Sequence, residues 1–124
     1  MSNPVYKHGP IGFDIAAKTE KFRLVKINQD GKIEHAGAEG AVFGAVTEAG
    51  RLEPHEAGAK HIAVHYGDVA IRLETVGDIK AGAAVFAAAD GKVSGEGTVQ
   101  VGVAVEDTKQ SRTLTIINKL PKEA

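Results

Sequence analysis

A short phrase occurs twice in this chain, and it limits the possible folds more than any other feature. Asp30-Gly31-Lys32-Ile33 is followed by Val42-Phe43-Gly44-Ala45-Val46-Thr47-Glu48; Asp90-Gly91-Lys92-Val93 is followed by Val101-Gly102-Val103-Ala104-Val105-Glu106. Asp-Gly between apolar stretches is a hairpin signal, because the turn needs residues that tolerate positive φ. Each copy reads as a strand, a turn, a short return strand, a gap of polar or small residues, and a glycine-containing Val/Ala strand ending in Glu. Two copies are too few for a solenoid, which needs three or more. The expectation is a mainly β domain of two similar strand–turn–strand units. They pack face to face in a sandwich or close into one small β-barrel, with at most a short helix.

The remaining strands follow from alternation and β-branched content. Phe22-Arg23-Leu24-Val25-Lys26-Ile27 leads into the first turn, and His61-Ile62-Ala63-Val64-His65-Tyr66 forms a strand before a Gly67-Asp68 turn. Val69 to Glu74 alternates, Ala83 to Ala87 precedes the second turn, and Val99 to Val105 places Val on every second residue. Thr113 to Ile117 closes the sheet, and Ile79, in a tight connection, sits over the end of a barrel. Residues 47–60 hold Gly50, Pro54 and Gly58 among charges and read as a loop, with room for a helical turn around 53–59. Residues 1–21 are broken by Pro4, Gly9, Pro10 and Gly12, yet carry Val5, Tyr6, Ile11 and Phe13. A solvated tail has little use for such residues. The domain organisation expected is an extended N-terminal arm at 1–21, a β domain at 22–118 and a polar tail at 119–124, with the arm packing on a partner.

Composition bears on what such a domain can do. Of the 124 residues 43% are hydrophobic but only 5% aromatic, and there is no Trp. Alanine and valine supply most of the core, and each buried CH₂ contributes only about 0.8 kcal/mol. A chain of this kind gains stability from self-association or from docking on something larger. The net charge is −1 with both signs interspersed, so phosphate-driven nucleic-acid binding has little to act through. No stretch approaches the roughly 20 apolar residues of a membrane helix, and residues 1–20 lack the pattern of a signal peptide. Neither nucleic acid nor membrane is expected as a partner. With no cysteine, thiolate chemistry and disulfides are absent.

No constellation for catalysis stands out. His61 and His65, four apart on a strand, lie about 13 Å from each other, too far to share one metal. His55 would join them only if the segment were helical, and Ile62 and Val64 argue against that. The carboxylates are scattered, Ser2, Ser94 and Ser111 sit in no nucleophile context, and the glycines form no phosphate cradle. No catalytic residue, cofactor or metal is implied. Lys32 and Lys92 stand on turns as the modified lysine of a carrier domain does, but lack the flanking sequence that carrier ligases read. A carbohydrate-binding module, the other alternative, needs exposed aromatics, and the chain has only two Tyr and four Phe.

The doubled Asp-Gly-Lys phrase, the strand Val101-Gly102-Val103-Ala104-Val105-Glu106 and the passage Gly77 to Val93 resemble the decoration, or cement, proteins of tailed-phage capsids. The lambda-type head decoration proteins and related small capsid-cement proteins are the family meant. Over residues 22–118 the resemblance implies a non-enzymatic virion protein on the outside of an expanded capsid. It would form a homotrimer, bind the major capsid protein and hold the shell against the pressure of packaged DNA. Strand addition by the arm, with Val5, Tyr6, Ile11 and Phe13 as contacts, would be the mechanism. The charged segment Arg51 to Lys60 departs from the family pattern.

Overall fold

A computed structural model describes residues 9–53 and 59–123. It is mainly β, with ten strands and one 3₁₀ turn among the described residues. The strands are β1 (Ile11–Asp14), β2 (Arg23–Ile27), β3 (Ile33–His35), β4 (Gly44–Val46), β5 (His61–Val64), β6 (Ala70–Glu74), β7 (Ala84–Ala87), β8 (Val93–Ser94), β9 (Gln100–Ala104) and β10 (Arg112–Ile116). Three antiparallel sheets result, in the orders β1-β5, β3-β2-β4 and β6-β10-β9-β7-β8.

The doubling read from two turns extends through the whole molecule. Ladder pairs in β1–β5 have counterparts in β6–β10: Ile11 opposes Val64 as Ile71 opposes Thr115, and Asp14 opposes His61 as Glu74 opposes Arg112. Ile27 faces Ile33 as Ala87 faces Val93, and Val25 faces Gly44 as Val85 faces Gly102. Further pairings complete the match. Ala45–His65 joins β4 to β5 as Val103–Ile116 joins β9 to β10, and the parallel bridges Ile15–Ile33 and Thr75–Val93 join the two ends of each unit. From β1 to β3 and from β6 to β8, matched residues lie 60 positions apart, as in Ile15/Thr75 and Ile33/Val93. Each unit therefore runs its strands around an interior in one order, β3-β2-β4-β5-β1 and β8-β7-β9-β10-β6. The first unit is joined by single bridges at two seams and the second at one, Thr75–Val93, so neither unit is a continuous hydrogen-bonded barrel. The mainly β domain of two similar units expected from sequence is present; of the two packings expected, sandwich or barrel, no closed barrel forms among the described residues.

Glycine makes the matched crossing possible. A Cβ at Gly44 would land on the His65 carbonyl oxygen, and one at Gly102 on that of Ile116. These two strands approach closely because neither residue has a side chain. The turns are also a pair with different chemistry. In the first, Asn28 Oδ1 accepts the amides of Asp30 (2.9 Å) and Lys32 (3.0 Å). In the second, Asp90 and Gly91 both take positive φ (59° and 72°), as a tight two-residue hairpin turn requires.

Two cores form, and they show how the units meet. The first unit's interior is Ile15, Val25, Ile33, Val46, Ile62 and Val64. The second unit's interior includes Ile71, Leu73, Val85, Ala87, Val101 and Ile117, and into the same cluster come Leu24, Ala36, Val42 and Ala45 from the first unit. Leu24 and Ala45 are on the side of β2 and β4 opposite Val25 and Val46, so one face of the first unit plugs the open end of the second. Deeper in the second unit the interior turns polar. Thr75 Oγ1 bonds Thr113 Oγ1 (2.6 Å) and the Leu73 carbonyl (2.9 Å), and Thr113 Oγ1 bonds Thr108 Oγ1 (2.7 Å). These hydroxyls satisfy one another, which removes the penalty for burying them.

Packing continues on either side of residues 22–118. β1 pairs with β5, Ile15 is buried at 2% exposure, and Thr19 exchanges backbone bonds with Gly50. Residues 11–19 are thus built into the first unit because their alternate apolar side chains complete its interior. Leu120 is buried with the second core, and Lys122 exchanges backbone hydrogen bonds with Val42. Segment 53–59 lies largely outside the described residues.

The close crossings give a direct test. Gly102→Ala should lower the unfolding free energy by about 3 kcal/mol or more, in the range reserved for overpacked or strained sites. Gly31→Ala, in open space at positive φ, should cost about 1 kcal/mol. Urea titrations of the two variants measure both; equal small effects would contradict the packing described.

Candidate functional site

Among the described residues the first unit has no plug of its own. Its interior faces run outward through Ile11, Phe13, Ile27, Phe43 and Tyr66, each at least partly exposed, with Ile27 at 39%. The corresponding residues of the second unit are Ile71, Leu73, Ala87, Val101 and Ile117, and all five are buried. The open end is aromatic. Phe13 meets Phe43 edge-on with ring centroids 5.5 Å apart, and Phe43 lies 5.6 Å from Tyr66. Beside them a shallow groove of about 410 Å³ is lined by Ile27, Ala41, Phe43, Pro121, Lys122 and Glu123. Half of the chain's six aromatic residues are gathered here. A cluster of this kind, apolar in the middle with Lys122 and Glu123 on its rim, suits a docking partner.

Polar groups fasten the closed end. The second turn reaches across to the first unit, where Gly91 N–H donates to the Ala36 carbonyl at 2.7 Å. Asp90 Oδ1 accepts from His35 Nδ1 at 2.7 Å, and Arg23 Nη1 donates to Asp90 Oδ2 (3.3 Å) and to its carbonyl (3.2 Å). The Glu20 amide donates to His35 Nε2 at 3.0 Å, so the imidazole carries its proton on Nδ1. The hydrogen bond from His35, followed by the nearby charges of Arg23 and Lys92, holds the Asp90 carboxyl below its ordinary value of 3.8. These groups tie the two units together; they form no reactive arrangement.

The sequence-predicted residues separate into two groups. Ile11 and Phe13 stand on β1 at the open end, whereas Val5 and Tyr6 lie outside the described residues. His61 bonds Asp14 across the β1–β5 pair at 2.8 Å, the counterpart of the Arg112–Glu74 pair at 3.3 Å. Among the described residues no group of three His, Asp or Glu side chains is placed to hold a metal ion. Ile27, Phe43 and Tyr66 were not singled out from sequence. The signal was available: Ile27 precedes the first turn at the place where the second has Ala87, a large residue opposite a small one.

Because the folded-state pKa of Asp90 is depressed, its contribution is present above the unfolded value and is lost as pH falls through the lowered one. Asp90→Asn should therefore destabilise the protein at neutral pH. The gap from wild type should close as the pH drops below the carboxylate range. Denaturation midpoints across a pH series measure this, and a gap independent of pH would contradict the Asp90 linkage.

Neither a family model nor a curated protein sequence matches the chain. Among solved structures, the fold is similar to the N base of the head fiber gp8.5 of bacteriophage phi29, with a TM-score of 0.68 and 17% identity over 94% of this chain and 98% of that one.

Proposed function

We propose that this chain is a non-enzymatic structural protein of a phage head, seated on the outside of the capsid and self-associated as a homotrimer. The observation that carries the reading is the similarity of nearly the whole chain to the N base of a phage head fiber. The resemblance of the sequence to capsid decoration proteins supports the same setting. A role in holding the shell against internal pressure, as a cement protein does, is the finer part of the proposal.

On this reading the major capsid protein is the partner, and the segment ahead of β1 makes the contact by strand addition. Ile11 and Phe13 are already committed to the β1–β5 pair, so Val5 and Tyr6 carry the capsid contact and β1 anchors it. Removal of residues 1–8 should abolish head binding while leaving the fold intact. Removal of residues 1–21 should also damage the fold, because it takes away β1, Ile15 and Thr19.

The test is co-sedimentation of the purified protein with expanded heads that lack their own decoration protein, alongside unexpanded proheads. The reading predicts saturable binding to expanded heads and greater resistance of those heads to heat. No binding to heads of the cognate phage in either form would contradict it. Binding without added resistance would leave a head protein that does not act as cement.

A further inference from the structure

We infer that copies of this chain join head to tail, the outer face of the second unit in one copy plugging the open end of the first unit in the next. The contact would repeat, between copies, the one that already joins the two units within a chain.

Matched positions of the two units differ in exposure. Within the chain, Leu24 and Ala45 cover the open end of the second unit and are fully buried. Their counterparts in the second unit are Ala84 and Val103, each opposite the other in the β7–β9 ladder just as Leu24 is opposite Ala45. Ala84 and Val103 are partly exposed. Val103 pairs with Ile116, which is 38% exposed and opposes the exposed Ala70. An apolar row, Ala70-Ile116-Val103-Ala84, therefore crosses four strands on the outside of the second unit. The receiving end shows the same asymmetry, since the five positions buried in the second unit are open in the first. Among the described residues, one plug and one open end are thus left over on each copy. A second copy is the occupant because the interface is already built once in this chain, and the spare surfaces continue it.

Backbone hydrogen bonding supports the same alignment. The Glu74 amide donates to the Phe22 carbonyl across the two units, at 2.9 Å. Phe22 is a non-glycine residue at positive φ (61°), and its counterpart 60 positions on, Gly82, has φ 85°. Their amides bond matched carbonyls, Val46 and Ala104. The corresponding bond between copies runs from the Asp14 amide to the Gly82 carbonyl. Not every intrachain contact recurs: Arg23, which binds Asp90, has Ala83 as its counterpart. The contact between copies is therefore less polar and weaker than the one within the chain. Such a contact is heterologous and closes into a ring when its rotation allows. Three copies closing this way place six similar units around one axis.

The inference rests on the self-association half of the proposed function and is independent of the capsid half, so it is tested in free solution. Sedimentation velocity of the full chain is compared with Val103→Glu, which charges the plug, and with Ile27→Glu, which charges the open end. Both sites are partly exposed, so circular dichroism melts should match wild type. The wild type should form a concentration-dependent oligomer, and each variant should weaken it roughly tenfold or more, as an unpaired charge in a dry contact does. Mixing the two variants should restore a stable dimer, because one intact plug then meets one intact open end. Exchange of Val103→Glu for Ala84→Glu should give the same result. A wild type that stays monomeric at every concentration would overturn both this inference and the self-association reading. An oligomer that survives the charge variants, or a mixture that fails to pair, would overturn this inference alone. Loss of the oligomer only on removal of residues 1–8 would assign the open end to that segment and overturn it equally.

Discussion

The structure depends on the burial of Leu24, Ala36, Val42 and Ala45 of the first unit in the open end of the second. Each unit alone is a short-stranded, alanine- and valine-rich assembly whose ends are joined by single bridges. Burying one leucine side chain is worth about 1.5–3 kcal/mol, a large share of the stability of a domain this size. The plug thus converts two marginal units into one core. The Asp90 turn, held by His35, Arg23 and the Ala36 carbonyl, sets the angle at which the plug enters.

The two interiors differ in a way that follows from this arrangement. In the first unit the deep positions are Ile15, Ile62 and Val64, while the matched positions in the second are Thr75, Thr113 and Thr115. Among the described residues nothing plugs the first unit, and larger apolar groups fill its depth. The second receives four apolar residues from its neighbour, and its depth is filled by threonines that bond one another. Such a threonine chain adds only a modest net energy per bond, but it allows one arrangement and excludes others.

Much of the β architecture was legible. The paired Asp-Gly turns, the alternation of 69–74 and 99–105, and the Gly-containing strands fell where expected, because turn chemistry and a period of two are local. The idea of two similar units came from the same echo. Sequence did not reveal that β1/β5 and β6/β10 also match, since Asp14–His61 and Glu74–Arg112 share charge roles but no residue type. Nor could it show that residues 11–19 and Leu120 are packed, because their Pro and Gly neighbours read as tail. Of the site, Ile11 and Phe13 were found as apolar residues in an unlikely place. Ile27, Phe43 and Tyr66 were missed because each lies in a strand that looked buried, and only the missing plug exposes them.

The central claim is that Leu24, a first-unit residue, holds the second unit closed. Amide hydrogen exchange of Leu24→Ala tests it most directly, the substitution costing about 2–5 kcal/mol if the site is core. Amides of Thr113, Thr115 and Val85 in the second unit should lose protection as much as those of β2. Loss confined to β2, β3 and β4, with the second unit protected as in wild type, would contradict it.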